Sequence, residues 1–400
     1  MNKFINESKR QFTIDKVLLL VLLGLASFSI AGIYASAPLL NGGQDAANGL
    51  IKQQIFWFGV GIGVIIFLIK FGIDRIFSLV NYVYIILMIA LLGLLIPKFG
   101  IAKPGFIPLT NGIYGWYRFP FASFQPSEFM KICLVIMAAN TITKHNAEKT
   151  DQSFKSDFQL IAKIAVFALP PLILILLQPD TGIPIVIIIS LAVMFMLSGV
   201  RKEWFIIVGT IAIGSLLGIV FLYNNYPEIL GKMLGGGSTG YRLDRFYGWL
   251  DYEKYANTHG YQLFRALISY GTAGFTGHPI GELIAPFPEA QTDFIFAVIS
   301  NYYGFIGGAS VILLSIAFDI RVTQITLRSD LNRERYMMMG VLGMIVFQQV
   351  ENIGMIMALL PITGITLPFV SYGGSSIVSY MLALAVVFYM HSETTNRHRH

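Results

Sequence analysis

The chain has 400 residues, 55% hydrophobic and only 12% charged, with 28 Lys and Arg against 22 Asp and Glu. Soluble domains carry about 25% charge, so this composition excludes an ordinary globular protein and sets the fold class: an all-α integral membrane protein. The formal charge of +6 is scattered beside apolar runs, which excludes nucleic acid as a partner and leaves membrane lipids and membrane orientation as its meaning.

Apolar windows near the length needed to cross a bilayer fall at about 17–36, 54–70, 77–97, 125–143, 160–178, 183–200, 204–224, 293–319, 336–360 and 373–391. They predict about ten transmembrane helices in one polytopic domain over residues 1–400. No small-residue cleavage site precedes the first window, so it reads as a span rather than a signal peptide. Cys133 lies inside the fourth window and reads as a small buried hydrophobe. Connections bearing Lys70, Arg75, Lys144, Lys149, Arg201, Lys202, Arg328 and Arg333 share one side with both termini, and an excess of cations marks that side as cytoplasmic. The opposite face then receives loops at about 98–124, 225–292 (between helices 7 and 8) and 361–372.

Those outer connections carry the chemistry-bearing residues. In the first, Trp116-Tyr117-Arg118 reads as an interfacial aromatic belt with an anion-attracting cation. It runs into Gln125-Pro126-Ser127-Glu128-Phe129-Met130-Lys131. Pro126 and Ser127 suit a helix start, and Glu128 with Lys131 lies three residues apart on one face. That pair is either a local ion pair or a charge facing a polar cavity, since charge in hydrocarbon is costly. Gln178-Pro179-Asp180-Thr181-Gly182 is a tight turn in which Asp180 can cap the following helix. Arg242 and Arg245, also three apart, could face a phosphate together or pair with Asp244, Asp251 or Glu253. The glycine run 235–240 lacks phosphate-loop spacing and reads as a hinge, and with no other nucleotide-binding signature the sequence argues against an ATP-driven pump.

Pro288-Glu289-Ala290-Gln291-Thr292-Asp293-Phe294 opens the eighth window. Asp293 is the last acid before about 25 residues of expected apolar helix. Thr292 or Asp293 could cap that helix. A carboxylate at the lip of an apolar cavity is equally suited to general-base work, because desolvation raises its proton affinity toward working pH. The Pro-, Gly- and Ser-rich run Pro361–Ser376 then separates two long apolar windows. Irregular backbone at membrane depth persists only when packed in protein or lining a wet cavity, so this loop is expected to shape a site.

Together these segments resemble the SEDS family (shape, elongation, division and sporulation), the RodA/FtsW-type proteins. Gln125-Pro126-Ser127-Glu128 with Lys131, Gln178–Gly182, Pro288–Phe294 and Pro361–Ser376 stand in family order over nearly the whole chain, and Ile33-Tyr34-Ala35-Ser36 is similar to the family's opening. The resemblance implies a peptidoglycan glycosyltransferase that polymerises lipid II at the outer face of a bacterial cytoplasmic membrane. It implies Asp293 as catalytic residue and inversion at the donor's anomeric carbon as undecaprenyl diphosphate departs. A departing diphosphate needs no proton, only compensation of its charge. Lys131 and Arg118 are the first candidates for that task, with Arg242 and Arg245 behind them. Gln125, Glu128, Ser371 and Ser375 complete the expected substrate-binding set. A divalent cation, Mg or Mn, could share the work, but no ligand cluster is visible in the sequence. A class B penicillin-binding protein is the implied partner.

The chain departs from the family in three places. Gly115-Trp116 stands where Arg-Trp is common, and Arg265-Ala266 where Gln-Ser is usual. Ser300-Asn301-Tyr302-Tyr303-Gly304 stands where two glutamates usually precede Leu-Gly. Losing two carboxylates near the base alters its proton affinity. Two other classes remain open: a flippase for the lipid-linked precursor, and a non-catalytic scaffold of the cell-wall machinery.

Overall fold

The computed structural model describes residues 12–397 apart from 111, 121, 150, 227–228, 230–244, 246 and 283–284. All ten apolar windows are helices: α1 (Lys16–Ala35), α2 (Gly43–Phe71), α3 (Ile73–Gly93), α4 (Pro126–Glu148), α5 (Phe154–Leu177), α6 (Gly182–Leu197), α7 (Glu203–Asn225), α9 (Ile295–Arg328), α10 (Asn332–Ile356) and α11 (Gly374–Arg397). A shorter amphipathic helix, α8 (Tyr261–Gly271), lies within the long α7–α9 connection. Eight of the ten are long and apolar enough to cross a membrane; α6 has 16 residues, and α4 does not reach that apolarity. The fold is therefore an all-α, multi-pass membrane architecture.

Local chemistry explains the helix starts. The Asp15 carboxylate accepts the Leu18 amide at 2.7 Å, and Ser153 accepts that of Ser156 at 3.2 Å, each satisfying an orphan first-turn donor. Pro126 opens α4, where its missing N–H costs nothing.

Packing then sorts the helices. Helices α4, α10 and α11 bury their sides in the protein, whereas α2, α3 and α7 turn broad apolar faces outward, as lipid-facing helices do. The connections α3–α4, α5–α6, α7–α9 and α10–α11 meet at one end. A short hairpin pairs β1 (Tyr117–Arg118) with β2 (Ser123–Phe124), and Ser375 Oγ at the start of α11 donates to the Ser123 carbonyl at 3.0 Å. At the other end Arg321 grips Asp15, joining α9 to the entry of α1, and Asn146 of α4 reaches Ser198 and Tyr336.

Two elements differ from the sequence expectation. Helix α2 starts about a dozen residues before its apolar window, because Gly43–Ile51 is polar yet helical. More consequentially, the expected continuous apolar helix after Asp293 breaks at Gly304, with φ 61° and ψ −158°. Broken backbone in an apolar setting must find partners, and the 273–278 turn supplies them. Asn301 O accepts the His278 amide at 2.8 Å, and the Phe305 amide donates to Gly274 O at 2.9 Å. A Cβ at Gly304 would overlap the Phe275 backbone, so glycine alone fits.

Candidate active site

Asp293 sits two residues before α9, half-buried rather than sealed. Its backbone is clamped from behind by the loop after α10. Asn352 Nδ2 donates 2.7 Å bonds to both Asp293 O and Ile365 O. Ser371 Oγ donates to Thr292 O at 2.7 Å, and the Tyr372 amide donates to Gln291 O at 3.0 Å. The Pro361–Ser376 run thus works as a brace, with Pro and Gly ending helices so that its free amides and hydroxyls can hold a second irregular segment. Strain concentrates in the same connections: Glu289, Ala358 and Phe369 adopt φ of 57°, 59° and 63°, uncommon for residues with a side chain.

The Asp293 side chain shares a small space with Arg245. Gly364, at φ 74°, leaves the gap they use: a Cβ there would stand 3.0 Å from Asp293 Oδ2 and 3.3 Å from Arg245 Nη2. The guanidinium is held in place by donating from Nη1 to the Thr363 carbonyl, while Trp249 Nε1 donates to Ala358 O at 3.0 Å and docks the same turn. Thr363 Oγ1 in turn donates to Glu351 Oε1 of α10. Asp180 lies on the adjoining turn, its Oδ1 accepting the Ile183 amide at 3.2 Å as a cap for α6.

Negative charge exceeds positive charge here. Burial, then the Glu289 charge, push the Asp293 carboxyl up to about 8, opposed by Arg245 and reinforced by Glu351 and Asp180. Burial lifts Asp180 to about 6 against the amides of Ile183 and Gly182 and the Arg245 charge. Beside Glu289 opens a hollow of about 730 Å³, a typical size for a ligand cleft. Leu50 and Gln53 of α2, Tyr261 of α8, and Pro288 and Gln291 line it. The polar extension of α2 thus forms one wall. Helix α8 steadies the opposite wall, with Gln262 Nε2 donating to Pro288 O at 3.0 Å.

The other expected residues do not share the Asp293–Arg245 space, although the Glu128 charge reaches Asp180 and helps raise it. Lys131, expected to compensate a leaving group, is 1% exposed and already committed. Its Nζ pairs with Glu128 Oε2 at 2.7 Å, donates to Tyr380 OH at 2.8 Å and stands 4.2 Å from that ring's centre. Tyr380 OH passes on to Gln348 Oε1 at 2.6 Å, and Ser379 Oγ reaches Glu128 Oε2 at 3.3 Å. Gln125 and Ser375 meet through the Gln125 amide, which donates to Ser375 Oγ at 3.1 Å. Arg118 is exposed on β1, its amide donating to Phe106 O at 2.8 Å. Arg242 lies outside the described residues. Glu351 and Asn352 were not singled out in the sequence, although the polar run Gln348-Gln349-Val350-Glu351-Asn352 inside an apolar window was a usable signal.

A metal reading meets a poor fit. Among the described residues no three His, Cys, Asp or Glu side chains stand close enough to hold an ion, and a guanidinium lies among the carboxyls.

Helices packed in one unit, with a carboxyl–guanidinium cluster and a cleft where the irregular connections meet, define a multi-pass membrane protein with its polar site at one end of the bundle. The chain belongs to the cell cycle protein family of FtsW, RodA and SpoVE, whose model matches residues 11–396. It is 29% identical to stage V sporulation protein E of Bacillus subtilis over 377 residues, covering 93% of this chain and 95% of the relative. It is 31% identical to a "Probable peptidoglycan glycosyltransferase FtsW" of Dichelobacter nodosus, covering 86% and 81%. Among solved structures it resembles a chain from a peptidoglycan synthase complex that coordinates polymerisation and crosslinking, at TM-score 0.73 and 23% identity over 96% of this chain and 99% of that one. RodA of Thermus thermophilus gives TM-score 0.63 at 22% identity, covering 95% and 97%. The family places the protein in cell-wall synthesis, in division or sporulation.

Proposed function

We propose that the chain is a peptidoglycan glycosyltransferase that polymerises lipid II, with Asp293 as general base. The observation that carries this reading is a half-buried carboxyl, pushed up to about 8, that shares its space with an arginine and stands on the segment whose Glu289 and Gln291 line a cleft. A base whose proton affinity lies close to ambient pH combines driving force with a usable ionised fraction, roughly one in ten at neutral pH.

In the proposed step the acceptor sugar's 4-hydroxyl attacks the donor's anomeric carbon. Asp293 takes the hydroxyl proton as the new C–O bond forms. The bond to the diphosphate breaks with its electron pair, and undecaprenyl diphosphate leaves from the opposite face, inverting the centre. One carboxyl suffices, whereas glycosidases need a second to protonate a poor leaving group. Arg245 takes the charge-compensating role in place of the committed Lys131. Ser371, Asn352 and Gly364 position the base. The reading includes ten spans in a bacterial cytoplasmic membrane, both termini in the cytoplasm and the Asp293 end outside. It also includes a class B penicillin-binding protein as crosslinking partner.

Reconstitution with lipid II tests the reading. Wild type is expected to make glycan strands, and Asp293→Ala to fall by at least about 10²-fold while inserting normally. Because only the ionised base works, the wild-type rate should rise about tenfold per pH unit up to pH 8 and level off above it. Equal product from both proteins would remove Asp293 from the reaction. Lipid movement across the bilayer without strand synthesis would make the protein a transporter instead.

A further inference from the structure

Glu351 is 3% exposed, sits five residues before the end of α10, and has one carboxylate oxygen, Oε2, buried without a hydrogen-bond partner among the described residues. Its other oxygen accepts from Thr363 Oγ1. Such a group is expensive to keep. A glutamine would satisfy Thr363 equally well without a buried charge, so hydrogen bonding alone does not account for the acid.

Position suggests what does. Thr363 offers its hydroxyl to Glu351 and its carbonyl to Arg245 Nη1, and the next residue is Gly364, over which Arg245 meets Asp293. Glu351 therefore anchors the backbone that fixes the guanidinium beside the base. Residues 294–304, which continue from Asp293, carry no charge. The negative charge behind the base comes across the bundle, from α10.

We propose that Glu351 is a positioning residue for the reaction at Asp293, holding Arg245 in register through Thr363 and adding a negative charge behind the base. This rests on the glycosyltransferase reading above. The groups facing Asp293 are Glu289 on its own segment, Arg245 from the α7–α8 connection, Asp180 from the α5–α6 turn and Glu351 from α10. Of these, Arg245 alone favours ionisation of the base; the three acids oppose it.

The test is the pH dependence of strand synthesis from lipid II in proteoliposomes, for wild type, Glu351→Gln and Glu351→Asp. Gln keeps an acceptor for Thr363 but removes the charge, so the acid limb is expected to move about 0.5 unit toward lower pH. Asp keeps the charge and draws the carboxyl back from Thr363, so the limb is expected to stay while kcat falls and KM holds. A limb that stays in Glu351→Gln, or moves equally in both variants, overturns the proposal. So does failure of both variants to fold, which would make Glu351 purely structural. A wild-type protein that makes no strands refutes the glycosyltransferase reading itself, and is told apart by occurring before any substitution.

Discussion

Two buried polar groups in this bundle obey opposite rules. Around Lys131 each charge has its complement: one ammonium, one carboxylate, a tyrosine and an amide closed into a network with almost no exposure. Around Asp293 three acids crowd one arginine, an oxygen of Glu351 is orphaned among the described residues, and a cleft opens beside the nearby Glu289 and Gln291. The first arrangement minimises the cost of burying charge; the second keeps it. Linkage gives that cost a sign. Asp293 binds its proton more tightly folded than unfolded, so its contribution to stability is full at low pH. It declines as pH rises from the ordinary carboxylate range through about 8. A fold that tolerates this penalty in one cluster while balancing charges in its neighbour, at the same end of the bundle, is separating scaffold from chemistry.

The comparison breaks first at Lys131. Lys131→Met should cost about 3–5 kcal/mol, because Glu128 is left buried and uncompensated. The double variant Glu128→Gln/Lys131→Met should recover most of that loss. Thermal unfolding in detergent or nanodiscs reads both. If Lys131→Met melts like wild type but makes no strands, the lysine belongs with the substrate and the division drawn here fails.

Gly364 probes the other group more gently. At φ 74° an alanine pays for a left-handed backbone, and its Cβ would press on Asp293 Oδ2 and Arg245 Nη2. A loss of about 1–3 kcal/mol, taken from the approach of base to guanidinium, predicts kcat down roughly 10–100-fold with only a modest fall in melting temperature. Unchanged kcat would mean that the two side chains need not meet during turnover.

Much of this organisation is legible in sequence, and the illegible part has physical causes. Apolar length alone finds ten helices because the bilayer imposes it. It does not find the break at Gly304, since Phe294–Ile299 before it and Phe305 and Ile306 after it keep the window apolar enough to read as one helix. The break exists because the distant 273–278 turn supplies hydrogen bonds. Asp293 is visible because it is the last acid before a long apolar run. Arg245 is ambiguous because nearby acids offer it surface partners, and only the fold brings Thr363, 118 residues away, under its guanidinium. The Glu128–Lys131 pair is readable as helix spacing, but its third member, Tyr380, lies 249 residues from Lys131. Local period shows which charges share a face; it does not show what closes over them.

The smallest effect is expected at Ser375, and it sharpens the distinction between bracing a site and touching a substrate. Its hydroxyl is fully used: Oγ donates to Ser123 O at 3.0 Å and accepts the Gln125 amide at 3.1 Å, tying the start of α11 to the hairpin and to the entry of α4. Ser375→Ala removes both bonds and leaves one amide and one carbonyl to find water at the loop end. A net loss of about 1 kcal/mol follows, visible as a lower melting temperature, with kcat/KM for lipid II within about twofold of wild type. The reverse pattern, an unshifted melt with a large rise in KM, would mean that the hydroxyl leaves its protein partners for the substrate. Ser375 would then move from the brace into the binding surface, and the boundary of the site would extend along the hairpin toward Arg118.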